Sequence, residues 1–189
     1  MIEQNEMLST MRDVAERLND LGINYMVTGS FAMGVYIPAR TTFDIDVVLE
    51  INSTEAEKFE KRFMVDYYVN AASIVRAGEQ RSMFNIINNS TLVKVDCIIK
   101  KDDRFEAEKF ARRQSAEIAG VKFWVIAKED LILSKLKWAV GSHSSRQFED
   151  VGCLLETGID DEFLSDSIER MELEEVWGAF CQWRTQTAK

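Results

Sequence analysis

The chain has 189 residues, of which 46% are hydrophobic and 29% charged, and a formal net charge of −9. That length suits one domain, or one with a small appendage, and the apolar share is enough for a packed core. The acidic balance excludes binding to nucleic acid by bulk electrostatics, so any such contact has to be local.

From the N-terminus, Met7, Leu8, Met11, Val14, Ala15, Leu18 and Leu21 recur at helical spacing, and Gly22 follows as a stop. Asn24 to Thr28 reads as a short strand running into Gly29-Ser30. Phe31 to Tyr36 reads as a short helix, closed by Pro38, the only proline. A strand from Asp44 to Ile51 follows, then a helix from Glu55 to Phe63 capped by Ser53 or Thr54. The stretch from Val65 to Asn89 is ambiguous: Ala71 to Gly78 has a helical pattern and Ser82 to Asn88 that of a strand. Asn88-Asn89 marks a turn, and Leu92 to Ile99 completes a hairpin. Phe105 to Arg113 is helical, and short strands at Glu117–Ala119 and Lys122–Ile126 flank Gly120. From Ala127 the pattern is helical to the end. The expected organisation is a mixed α/β part over 1–126 and a helical region over 127–189 packed on it.

The acidic start MIEQNEMLST lacks the character of a signal peptide. No apolar run approaches the length of a membrane span. Cys97, Cys153 and Cys181 form no C-x-x-C and lie in apolar surroundings, as core thiols in a reducing cytoplasm would. The basic residues Lys100, Lys101, Arg104, Lys109, Arg112, Arg113 and Lys122 are a candidate for a local nucleic-acid contact, and more simply read as a solvated helix face. His143, the only histidine, lies in the loop Gly141-Ser142-His143-Ser144-Ser145 without a nucleophile elbow elsewhere.

The chemistry concentrates in GSFAMGVYIPARTTFDIDVVLEI. Strand side chains alternate faces, so Asp44 and Asp46 point one way and Ile45 and Val47 the other. Two adjacent like charges repel unless a cation sits between them, and Mg²⁺ favours carboxylate oxygens while leaving room for water and phosphate. Just upstream, Gly29 and Ser30 open a helix whose free N–H groups suit a phosphate. Asp96 sits alone in the apolar strand TLVKVDCIIK, a placement that needs a reason. Beside Asp44 and Asp46 it would complete a site able to hold two metal ions. Asp66 and Asp102 compete for that third place. Arg40 can hold phosphate in a bidentate fork or pair with Asp44 or Asp46. Arg146 and Asp150, four apart, can form a helical ion pair.

These residues resemble the DNA polymerase β-like nucleotidyltransferase superfamily: Gly-Ser, then Asp-x-Asp, then an isolated Asp in a later apolar strand. The longer strings Arg40-Thr41-Thr42-Phe43-Asp44-Ile45-Asp46, Glu129-Asp130-Leu131-Ile132-Leu133-Ser134-Lys135-Leu136 and Ser145-Arg146-Gln147-Phe148-Glu149-Asp150-Val151 are similar to the minimal bacterial AbiEii type, over about residues 5 to 180. The resemblance implies an α+β (mixed α/β) fold, with a polymerase β-like mixed sheet flanked by helices over 1–126, then a C-terminal helical bundle. It implies transfer of a nucleoside monophosphate from a nucleoside triphosphate (NTP) to a hydroxyl acceptor on tRNA, protein or a small molecule, with two Mg²⁺ ions. Asp44, Asp46 and Asp96 become metal ligands and catalytic acids. Gly29, Ser30, Arg40 and Lys135 become nucleotide-binding residues, with Lys135 aimed at the triphosphate and Lys137 as its competitor. A toxin paired with an antitoxin partner is the arrangement known for that group. An aminoglycoside-type small-molecule nucleotidyltransferase and a non-catalytic binding partner of the same fold are the alternatives.

Overall fold

Met7, Met11, Val14, Ala15 and Leu18 make one apolar stripe on helix α1 (Gln4–Asp20), and all five are buried. The structure is a computed structural model that describes residues 4–38 and 41–187. By internal contacts the chain divides into two units, 1–126 and 127–189.

The first unit is built on a seven-stranded mixed sheet. Its strands are β1 (Asn24–Thr28), β2 (Asp44–Glu50), β3 (Tyr67–Tyr68), β4 (Met83–Asn88), β5 (Lys94–Ile99), β6 (Gln114–Ile118) and β7 (Val121–Val125). They lie in the order β3-β4-β5-β2-β1-β7-β6. The β2–β5 and β1–β7 pairs are parallel and the others antiparallel. The period of two then sorts the residues. One face carries Tyr25, Val27, Ile45, Val47, Leu49, Tyr67, Phe84, Ile86, Val95, Cys97, Ile99, Val121, Phe123 and Val125, every one buried. Helix α3 (Ala56–Phe63) adds Phe59 and Phe63, which stack at 4.4 Å, with Phe59 edge-on to Phe84 at 5.4 Å. Arg17 of α1 bonds Asp13 and Asp66 and lies over the Phe63 and Tyr67 rings. Tyr67 donates to Asp13 at 2.7 Å, and burial, with that bond, pushes its phenol pKa up.

The remaining helices of this unit are α2 (Gly29–Met33), α4 (Ala71–Gln80) and α5 (Arg104–Ala111). Several local expectations change, and β6, for one, spans Gln114–Ile118 rather than Glu117–Ala119. Helix α2 begins at Gly29, directly on the end of β1, rather than at Phe31. Asn52, not Ser53 or Thr54, closes a capping box with Glu55 ahead of α3, because its side chain reaches the Thr54 N–H. Strand β5 begins at Lys94, since Leu92 has φ +59° and the Asn88 carboxamide binds the Ser90 and Thr91 N–H groups in the turn.

Most of the basic residues around α5 are paired locally. Lys100 pairs with Glu50, Arg104 and Arg112 with Glu108, Lys109 with Glu106, and Lys122 with Glu117. They form ion pairs rather than a basic patch.

The second unit contains α6 (Lys128–Ala139), α7 (Ser145–Leu155), α8 (Asp161–Arg170) and α9 (Glu174–Thr187). Phe148 of α7 meets Phe180 of α9 edge-on at 5.8 Å. Lys135 donates to Asp150 at 2.6 Å, with both side chains almost fully buried. Asp150 therefore pairs across helices and not with Arg146, which is exposed. His143 has φ +45°, is exposed, and leads into α7. Of the cysteines only Cys97 is buried. Cys153 and Cys181 are exposed on α7 and α9, against the expectation of core thiols. No helix among the described residues is long and apolar enough to cross a membrane.

Removing one partner of a buried ion pair strands the other charge. Asp150→Ala is expected to lower stability by about 3–5 kcal/mol, read as a shift of the urea midpoint. The double replacement Lys135→Met with Asp150→Leu should recover most of that loss.

Candidate active site

Gly29 is the hinge of the site. Its φ is +65°, a conformation that costs a side chain strain, and it turns β1 into α2. A Cβ there would overlap Asp46 Oδ2 and stand 2.7 Å from Cγ and 3.1 Å from Cβ of Asp46. The Asp46 carboxylate thus lies against the bare Cα of Gly29. Register explains why: Thr28, the last residue of β1, pairs with Asp46, so the next backbone step passes over that side chain. Ser30 is half-buried in the first turn of α2.

The parallel β2–β5 pairing sets Asp96 opposite Asp46 and Lys94 opposite Asp44. In-register neighbours share a face, so Asp44, Asp46, Asp96 and Lys94 all stand on the side away from the apolar layer. Asp44 and Asp46 are partly exposed, whereas Asp96 is buried, only 6% exposed. The Lys94 ammonium lies 2.7 Å from Asp96 Oδ2 and 3.9 Å from Asp44 Oδ2. The hydrogen bond to Asp96 raises the Lys94 pKa, burial opposes this, and the charges of Asp96, Asp44 and Asp46 reinforce it. Asn85 of β4, opposite Asp96, donates to Asp96 Oδ1 at 3.3 Å. Thr42 donates to Asp44 Oδ1 at 3.0 Å.

Among the described residues no three carboxylate, imidazole or thiol side chains converge closely enough to hold one ion. The triad expected from the sequence is therefore looser than a preformed cage. Lys94 lies within 4 Å of both Asp44 and Asp96 as their counter-charge. The donors are nevertheless hard carboxylate oxygens already gathered around a cation, the ligand chemistry that suits Mg²⁺.

The rivals for the third acid are drawn elsewhere. Asp66 pairs with Arg17, and Asp102 with Arg81 at 2.5 Å. Lys135, expected at the triphosphate, is held by Asp150 inside the second unit. Arg40 lies outside the described residues. Sequence reasoning assigned no role to Lys94 or Asn85. Lys94 was accessible, because it lies two residues before Asp96 and so on its face. Asn85 needed the hairpin register.

No family model matches this chain, and no curated protein matches it. Solved structures do. An antigenic nucleotidyltransferase-like protein from Paracoccidioides brasiliensis superposes with a TM-score of 0.61 at 15% identity, covering 95% of this chain and 94% of that one. The antibiotic-resistance factor ANT(2'')-Ia superposes at 0.55 and 13% identity, covering 98% and 95%. The lincosamide antibiotic adenylyltransferase LnuA, bound to lincomycin, gives 0.55 at 11%, covering 83% and 99%. The chain has the polymerase β-like nucleotidyltransferase fold: a seven-stranded mixed sheet with flanking helices, followed by helices.

Gly29→Ala forces both a disfavoured φ and an overlap with Asp46. It should cost about 1–3 kcal/mol of stability, measured in urea. Gly22→Ala, at φ +68° with nothing within 4 Å of its Cβ, is the matched control that carries the backbone strain alone and should lose less.

Proposed function

We propose that this chain is a Mg²⁺-dependent nucleotidyltransferase that moves a nucleoside monophosphate from an NTP to a hydroxyl group. The observation that carries this reading is Asp46 pressed on Gly29, with Asp96 opposite it and Lys94 among the carboxylates. The fold it shares with a nucleotidyltransferase-like protein and with the adenylyltransferase LnuA supports the same reading.

Each residue has a part. The Gly29 and Ser30 N–H groups and the Ser30 hydroxyl bind the terminal phosphates. Asp44, Asp46 and Asp96 would hold the metal. Bound there, Mg²⁺ supplies Lewis acidity at the α-phosphate and charge neutralisation for the departing pyrophosphate. Asp96 takes the proton of the attacking hydroxyl, while Lys94 and Asn85 hold its two oxygens in place. The protein otherwise contributes positioning and fixed charge. Arg40, beside the first acid in sequence, is proposed to steady the phosphates. Lys135, which donates to Asp150, is proposed to contact the triphosphate.

The narrower reading, an AbiEii-type toxin of the cytoplasm kept in check by an antitoxin partner, is supported by the sequence strings around Asp44, Lys135 and Asp150. The small-molecule alternative draws on ANT(2'')-Ia and LnuA, both antibiotic proteins by name.

Thermal unfolding with each NTP, with and without Mg²⁺, tests the reading. Saturation at about a hundredfold over Kd stabilises by about 2.7 kcal/mol, or about 5–10 °C at about 2–4 °C per kcal/mol. The shift should require Mg²⁺ and vanish in Asp46→Asn. That substitution should lower the transfer rate by about a thousandfold or more and leave the urea midpoint near wild type. An Asp46→Asn chain with full transfer activity would end the assignment.

A further inference from the structure

The face that carries the acids continues past Asp96 to the edge of the sheet. Asn85 pairs with Asp96, and Tyr68 of β3 pairs with Ile87, two residues along from Asn85, so both side chains stand on the acid face. Tyr68 is 66% exposed. Here a hollow of about 380 Å³ is lined by Tyr68, Asn70, Ala72, Ser73, Arg76 and Asn85, within the size range of small-ligand sites. Asn70 and Ser73 are engaged with each other at the start of α4. Three of the lining residues are exposed, Tyr68, Asn85 and Arg76. Arg76 is exposed and forms no ion pair among the described residues.

The position of the hollow matters more than its size. The proposed phosphate cradle, Gly29-Ser30, lies at the β1 side of β2. The hollow lies on the other side, beyond β5, with the carboxylates between. Displacement at phosphorus is in line, so the attacking hydroxyl must enter opposite the departing pyrophosphate. Strands are about 4.8 Å apart, which sets Asn85 and Tyr68 within reach of an acceptor whose hydroxyl lies at Asp96.

We propose that this hollow is the acceptor subsite, and that the acceptor is a ring-bearing hydroxyl compound that carries phosphate. The inference rests on the nucleotidyltransferase reading. The ring packs on Tyr68, the phosphate pairs with Arg76, and Asn85 ties the subsite to Asp96. In the reaction the acceptor oxygen bonds to the α-phosphorus as the α–β bridging P–O bond breaks. The proton passes to Asp96 and pyrophosphate leaves with the electron pair, giving a phosphodiester. A polycationic acceptor, such as an aminoglycoside, meets repulsion at Arg76.

The test uses the full chain, Mg²⁺ and α-labelled NTP, with three probes: a short single-stranded RNA with a free 3′-hydroxyl, glucose 6-phosphate, and kanamycin. Labelling of the RNA or of the sugar phosphate is expected, and whichever is labelled identifies the source of the phosphate. Arg76→Ala and Tyr68→Ala should each raise the acceptor KM about tenfold while leaving the NTP KM and the NTP-induced thermal shift unchanged. Both side chains are exposed, so neither change threatens the fold. Labelling of kanamycin alone overturns the proposal, as does an acceptor KM that neither substitution moves, a raised NTP KM, or an NTP shift with no labelled probe. A wild-type chain with no NTP shift overturns the transfer reading and this one with it.

Discussion

The contact of the Asp46 carboxylate with the Cα of Gly29 is the constraint on which the site depends. It forces glycine where β1 turns into α2, and it sets the first turn of that helix beside the carboxylates. Because Thr28 pairs with Asp46, neither the turn nor the acid can shift by one residue without flipping the strand's faces. The parallel register of β2 and β5 then brings Asp96 opposite Asp46. One backbone approach and two registers thus determine where the chemistry can occur.

The same alternation that exposes the acids builds the core. Ile45, Val47 and Leu49 bury one face of β2, while Asp44 and Asp46 stand on the other, and β5 repeats the pattern with Val95, Cys97 and Ile99 against Lys94 and Asp96. The gathered negative charge carries a penalty that Lys94 relieves from within the chain. Its raised pKa, caused first by the bond to Asp96, is the mark of that field. The carboxylates are thus already gathered around a positive charge within the chain. An excess of acids over bases in the whole chain says nothing against this, because the contacts are local.

Electrostatics also divides the basic residues into those with partners nearby and those facing outward. The series around α5 is matched to Glu50, Glu106, Glu108 and Glu117. Lys135 is matched to Asp150 in the helical unit. Arg76 lines the hollow at the edge of the acid face together with Tyr68 and Asn85. The shared fold by itself specifies no acceptor chemistry.

What the sequence by itself determined was local. The stripe of α1, the β1–turn–α2–β2 start, the common face of Asp44 and Asp46 and the isolation of Asp96 all follow from periods of two and 3.6 residues. Tertiary structure decided what periodicity cannot reach. It set Asp96 opposite Asp46 and paired Asp66 with Arg17 and Asp102 with Arg81. It paired Asp150 with Lys135 rather than with Arg146. It brought Lys94 between two acids, and Asn85 and Tyr68 onto their face. Each of these depends on which strands or helices become neighbours and in what register. That is a property of distant segments packing together, and no window of adjacent residues encodes it.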